Sequence, residues 1–279
     1  MWKPEHRGAA DRRGLRYPSD LTDAEWALVE AMIPPAKRGG RKRSVDVREV
    51  LNGIFYVLST GCQWNAVPTD LPPKSTIYDY LDLWEWDGTL GRIHHALYVA
   101  TREREGREAS PTAAIIDAQS AKGAQKGGPS LDPSGYDAGK KVKGRKRHIL
   151  VDTLGLLLNV VVHSADIQDR DGARLVLDRR TRRLFPFIER IFADAGYHAA
   201  KTARAVARTG TWKLEIVKRS ELHRFVVLPK RWIVERTLAW ISRCRRLAKD
   251  FERHARMAAA FIRLAMIRLM LRRLTTRSS

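Results

Sequence analysis

The chain has 279 residues, 44% of them hydrophobic, enough for one large domain or two small ones around a packed core, which excludes a disordered polycation. Lys and Arg number 52 against 31 for Asp and Glu, a formal net charge of +21, so the surface attracts polyanions, with nucleic acid ahead of acidic membrane surfaces. The two cysteines, Cys62 and Cys244, show no paired spacing, which argues against a disulfide or zinc framework and suits a reducing compartment.

In chain order, MWKPEHRGAADRRG opens a basic arm (residues 1–18) with no apolar segment behind its charges, so no secretory signal is read there. Residues 19–109 read as helical. Ser19 or Thr22 caps a helix through DAEWALVEAMI that stops at Pro34 and Pro35, and VDVREVLNGIFYVLSTG carries apolar residues at helical spacing up to Gly61. Ser75 then caps STIYDYLDLWEW, and GTLGRIHHALYVATRERE follows. The basic linker KRGGRKR, with Lys37, Arg38, Arg41, Lys42 and Arg43, joins the first two helices.

Residues 47–86 fit either a helix-turn-helix read out by the Ser75 helix or a plain helical packing module. Asp79, Asp82, Glu85 and Asp87 on that helix would repel phosphates. Trp64, Trp84 and Trp86 are expected as core anchors.

From about residue 110 strands alternate with helices. AAIID is a first strand, and KRHILVDTL and LLLNVVVHS form a hairpin about Gly155. DGARLVLDRRT reads as a helix, FIERIFAD as a strand, HAAKTARAVARTG as a helix ending on Gly210, and WKLEIVK as a further strand. An antiparallel beginning that passes into β/α alternation predicts an α/β fold: a ribonuclease H-like catalytic core with a mixed five-stranded sheet flanked by helices (residues 110–250). An all-α N-terminal domain (19–109) precedes it and a C-terminal helical extension (251–279) follows. The apolar run MAAAFIRLAMIRLMLRRL in that extension is broken by Arg263 and Arg268, short of the ~18 uninterrupted apolar residues of a membrane span.

Two carboxylates end core strands, Asp117 after AAII and Asp194 after IERIFA. Ligands of open α/β sheets collect at the carboxyl ends of strands, so neighbouring strands would bring both acids to one place, where repulsion is relieved by a proton or a hard divalent cation. Glu235 stands in PKRWIVERTLAWISRCRR, a helix with an apolar stripe and many arginines. Each acid also has a plainer role, the aspartates capping turns and the glutamate pairing with Arg231 four residues earlier. Asp152 reads as a hairpin residue, and Asp166, Asp169 and Asp171 as the negative start of a helix. His148 and His163 read as structural or DNA-facing.

The segments YPSDLTDAEWALVEAMIP, IIDAQSAKG, GYDAGKKVKGRKRHILVDTLGLLL, ADAGY and WIVERTLAWISRCRRLAKDFE resemble, over essentially the whole chain, bacterial insertion-sequence DDE transposases of the insertion sequence five family. The resemblance implies catalytic and metal-binding roles for Asp117, Asp194 and Glu235, with two divalent ions, magnesium or manganese. Related transposases place Tyr, Arg, Glu and Lys around the glutamate. Here Arg231 and Glu235 fit, while Leu228 and Ser242 occupy the Tyr and Lys positions, with Arg243 beside the latter.

The implied function is cutting at the ends of an insertion sequence and joining them to target DNA. The alternatives are a nuclease without strand transfer, or an inactive remnant acting as a DNA-binding repressor. Lys140, Lys141, Lys143, Arg145, Lys146 and Arg147 in KKVKGRKRH form the best candidate DNA patch, extended by the KRGGRKR linker and by Arg231, Arg236 and Arg243. The segment GGPSLDPSGYDAG ahead of the patch is expected as a loop that orders on DNA. Double-stranded DNA is the expected partner, bearing the inverted-repeat ends and the target. A homodimer is also expected, with the C-terminal helix from about Ala255 as a possible interface, in the bacterial cytoplasm at the nucleoid and without membrane association.

Overall fold

The computed structural model describes residues 12–36, 39, 43–124, 130–197, 200–208, 212–217 and 231–276. Helices α1 (Asp23–Ala27), α2 (Val47–Thr60), α3 (Lys74–Trp86) and α4 (Thr89–Arg104) come first. Thr22 caps α1 in a reciprocal box with Glu25, but α1 ends after five residues and the chain continues through a 3₁₀ turn, Glu30–Met32. Helix α2 ends on Gly61 in the left-handed conformation (φ 67°). Pro73, not Ser75, precedes the first residue of α3 and makes no side-chain cap; Ser75 lies inside the first turn. Trp84 is buried and Trp64 packs edge-on against Tyr78, but Trp86 is 81% exposed, so it anchors no core.

One sheet follows: β1 (Ala113–Lys122), β2 (Gly135–Asp137), β3 (Val142–Asp152), β4 (Leu157–Ser164), β5 (Arg190–Ala193) and β6 (Lys213–Ile216). Among the described residues it has six strands rather than five, because residues 135–137 of the expected loop pair with the first residues of β3. Strand β3 lies antiparallel between β1 and β4, while β1, β5 and β6 run parallel, so the sheet is mixed. The expected helix through DGARLVLDRRT is two, α5 (Asp169–Val176) and α6 (Arg179–Leu184), since Asp178 caps a new start by accepting from the Thr181 N–H. Helix α7 (Ala200–Arg208) lies between β5 and β6, and α8 (Arg231–Ser242) follows. Gly210 and Leu228 lie outside the described residues.

The last helix, α9 (Ala255–Thr275), is a core element rather than an appendage. It is apolar on nearly every face, and its Met257, Phe261, Leu264, Ile267, Met270 and Leu271 are buried, as a helix enclosed on all sides requires. It packs on α4 and β4 and so ties the N-terminal helices to the sheet. That burial removes the dimer interface expected on this helix.

Candidate active site

Asp117 does not end its strand: β1 continues to Lys122 because β3 pairs with it from Asp152 back to Gly144. On its other edge, the parallel pairing with β5 stops at Ile115 and Phe192. Two residues further along that register, Asp117 falls level with Asp194, the first residue beyond β5. Both carboxylates are half-buried and line one recess with Ile115, Ile116, Phe192, Ala193, Val217 and Val234. Each also steadies its own backbone: Asp117 Oδ1 accepts from the Ala118 N–H (2.7 Å) and Asp194 Oδ1 from the Gly196 N–H (2.9 Å).

Helix α8 brings Val234 to the recess and carries Glu235, exposed, on the next residue. Its position is set at the β3–β4 turn, where Thr237 Oγ1 donates to the Gly155 carbonyl (2.7 Å) and Arg236 Nη2 to that of Leu154 (2.9 Å). The Arg236 guanidinium lies between the rings of Trp232 and Trp240, 4.5 and 4.7 Å from their centroids. Gly155 is required there: its φ is +80° and a Cβ would stand 2.8 Å from Thr237 Oγ1.

Asp117 and Asp194 are thus brought together and Glu235 stands on the helix that lines their recess. Among the described residues no group of three or more His, Cys, Asp or Glu is gathered tightly enough to hold a metal ion. The carboxylate pair fits a hard cation in charge and donor type.

The family model described as "Transposase DDE domain" matches residues 108–270, more than half of the chain. The chain belongs to the transposase DDE family. A second family model, described as "Putative transposase of IS4/5 family", matches residues 21–94. The "Putative transposase for insertion sequence element IS402" of Burkholderia cepacia is 32% identical over 145 residues, 50% of this chain and 67% of that protein. The insertion element IS402 uncharacterized 16.2 kDa protein, from the same organism, is 31% identical over 88 residues, 29% of this chain and 60% of that protein. No solved structure matches the chain.

Beside the acids of this transposase lies a largely buried polar cluster that sequence reading did not single out as a unit. Lys146 Nζ stands 2.9 Å from Asp169 Oδ1 and 3.4 Å from Asp137 Oδ2, and donates to the Ile167 carbonyl (2.8 Å). Burial would raise the Asp137 carboxyl, but the Ser120 hydroxyl, the Lys140 N–H and the Lys146 ammonium outweigh it and hold its pKa below the usual carboxylate range. The buried Tyr197 hydroxyl lies 3.3 Å from His148 Nδ1. Desolvation, then the charges of Asp117, Asp169 and Asp194, push that phenol far up. The two-residue spacing of Lys146 and His148 on β3 was the available signal, since it places both on one face.

Several residues expected at the DNA surface are interior. Arg145, Lys146 and Arg147 are 1%, 4% and 2% exposed. Arg145 donates to the carbonyls of Asp132, Glu252 and Arg253 (2.9, 3.0 and 2.6 Å), and Arg147 to those of Leu247 and Lys249. The guanidinium groups bind backbone carbonyls of residues 132, 247, 249, 252 and 253, and Lys146 that of Ile167, so these three cations hold the fold instead of facing solvent. Arg236 is likewise engaged, and Arg43 donates to the carbonyls of Pro34 and Pro35. Lys140, Lys141, Lys143 and Arg243 are exposed, and Lys140 Nζ lies on the carbonyl of Ala118, beside Asp117. Lys37, Arg38, Arg41, Lys42 and the side chain of Arg231 lie outside the described residues. Asp152 is wholly buried, accepts from the Leu154 and Leu156 N–H groups, and pairs with Arg102, which is a hairpin role.

Proposed function

We propose that this transposase cuts double-stranded DNA at the ends of its insertion sequence and joins them to target DNA at a site made by Asp117, Asp194 and Glu235. The observation that carries the assignment is the β1–β5 register, which puts two carboxylates level at the end of parallel pairing, beside the helix bearing the glutamate. The strand order β4-β3-β1-β5-β6, antiparallel on one side of β1 and parallel on the other, supports a ribonuclease H-like core, preceded by an all-α domain.

Two adjacent carboxylates are poor company without a cation, so Asp117 and Asp194 would hold divalent ions, magnesium or manganese, with Glu235 closing the site. Such ions, when bound, supply an activated water or 3′-hydroxyl and stabilise the leaving oxygen. The Asp117 and Asp194 contacts to their own N–H groups orient the carboxylates beforehand. Lys140, Lys141, Lys143 and Arg243 would guide the phosphate backbone across the recess. A homodimer would pair the two element ends, in the cytoplasm at the nucleoid.

The test is magnesium-dependent cleavage and joining of labelled DNA carrying the element's ends. The parent chain should cut and join, while Asp117→Ala, Asp194→Ala and Glu235→Ala bind DNA but do neither. Cleavage without joining would favour a nuclease, and binding alone a repressor or remnant.

A further inference from the structure

Far along the chain from the acids, three guanidinium groups gather in the field of one carboxylate, Glu25, which only Arg12 of the three touches. Arg12 forks onto Glu25, its Nη1 and Nη2 at 2.8 and 2.7 Å from the two oxygens. Arg268 and Arg272, one turn apart on α9, point their Nη2 atoms at the same carbonyl, that of Pro18, each at 3.5 Å. The two Nη2 atoms are therefore no more than about 7 Å apart. A contact of 3.5 Å is long for a hydrogen bond, and beyond it Arg268 has only the weak acceptor of the Cys244 thiol.

The unsatisfied capacity is specific. The Nε atoms of Arg12, Arg268 and Arg272 are all buried with no hydrogen-bond partner. The Cys244 thiol is hydrogen-bonded to Arg268, and burial pushes its pKa up, towards the neutral form, so it supplies no negative charge to the cluster. Burial, and then the charges of Arg268 and Arg12, bring the Arg272 pKa down to about 10, far below a free guanidinium. Three positive charges face one negative charge, Glu25, among the described residues here. Like charges gathered this closely in partly desolvated surroundings repel, and each unpaired Nε adds a desolvation cost.

We infer that Arg12, Arg268 and Arg272 form a phosphate-binding pocket between the N-terminal segment and α9, separate from the reaction site. Guanidinium groups match phosphate oxygens in planar, paired hydrogen bonds, and a phosphate supplies both the missing charge and acceptors for the orphaned Nε groups. The phosphate belongs either to a DNA backbone held away from the cutting site or to a small free phosphate compound.

The experiment uses the full chain, the double variant Arg268→Gln/Arg272→Gln, and Arg273→Gln as a control that keeps the cluster intact. Thermal unfolding is followed while inorganic phosphate is titrated at constant ionic strength. The parent and Arg273→Gln should melt at progressively higher temperature as phosphate rises, beyond the general salting effect that the double variant also shows. Without phosphate, the double variant should melt above the parent, because repulsion is relieved; a purely structural pair of arginines would give the opposite sign. A second arm measures duplex affinity against salt. A logarithmic salt slope lower by about 2 in the double variant identifies DNA as the source, and an unchanged slope together with phosphate protection identifies a free compound. Equal phosphate response in the parent and the double variant, with no change in the duplex slope, overturns the inference.

Discussion

Replacing Arg145 by Met separates a cation that builds the fold from one that touches DNA. Arg145 makes three bonds of 3.0 Å or less to the carbonyls of Asp132, Glu252 and Arg253, has a longer one to Pro133, and lies 3.4 Å from an Asp250 oxygen. Charged hydrogen bonds contribute roughly 1.5–3 kcal/mol each, and breaking a buried ion pair on one side costs about 3–5 kcal/mol. Because these terms overlap, the expected loss is about 3–5 kcal/mol, a large share of the ~5–15 kcal/mol that holds a domain together. Arg145→Lys should recover only part of it, since an ammonium cannot fork between the 132–133 and 252–253 backbones.

Urea unfolding measures the loss. Duplex binding against salt, at a temperature where the variant is still folded, completes the test. Arg145→Met should leave the logarithmic salt slope unchanged, whereas Lys143→Ala, at an exposed position, should lower it by about 0.9. A fully stable Arg145→Met chain with a reduced slope would refute the reasoning.

His94 and His148 are buried with unpartnered Nε2 atoms, and desolvation lowers their pKa values to about 3 and about 2. Depressed values favour the neutral folded form, so their stabilisation is complete above the unfolded value of ~6.5 and is lost as pH falls below it. Urea unfolding at pH 7.5 and 5.5 should differ by about 2–3 kcal/mol, and a flat profile would reject the buried neutral state. Lys146→Met, which leaves Asp137 and Asp169 without their shared cation, should cost about 3–5 kcal/mol by the same assay. Trp86→Ala should change stability by less than ~0.5 kcal/mol; a larger loss would mean the ring is packed after all. Gly172→Ala would set a Cβ 2.4 Å from His148 Nε2 and 2.7 Å from His163 Nε2, so despite alanine's better helix propensity its melting temperature should fall.

What was legible from sequence was local and periodic. Gly61 marks the end of α2, Gly155 the β3–β4 turn, and the apolar runs before Asp117 and Asp194 mark strands whose pairing brings the acids level. What was hidden depended on distant partners. The run from Ala118 to Lys122 has no strand-like alternation of its own and is extended because β3 pairs beside it. The basic residues 145–147 look like a solvated patch until the backbone of residues 247–253 comes against them. No short window reveals that carbonyls a hundred residues away will take these guanidinium groups as donors. Asp178 shows the converse, a local cap strong enough to divide a helix that apolar spacing alone would run through.

Helix α9 also sets a timetable for biosynthesis. Its buried face completes the interior shared by the N-terminal helices and β4, so neither part has its full set of neighbours until residues 255–275 have left the ribosome. A product truncated by a premature stop or a frameshift before Ala255 would expose apolar surface on both parts and fall to proteolysis or aggregation. Damaged copies of the coding sequence would therefore yield chains that are cleared, not chains that occupy DNA ends in competition with the intact protein.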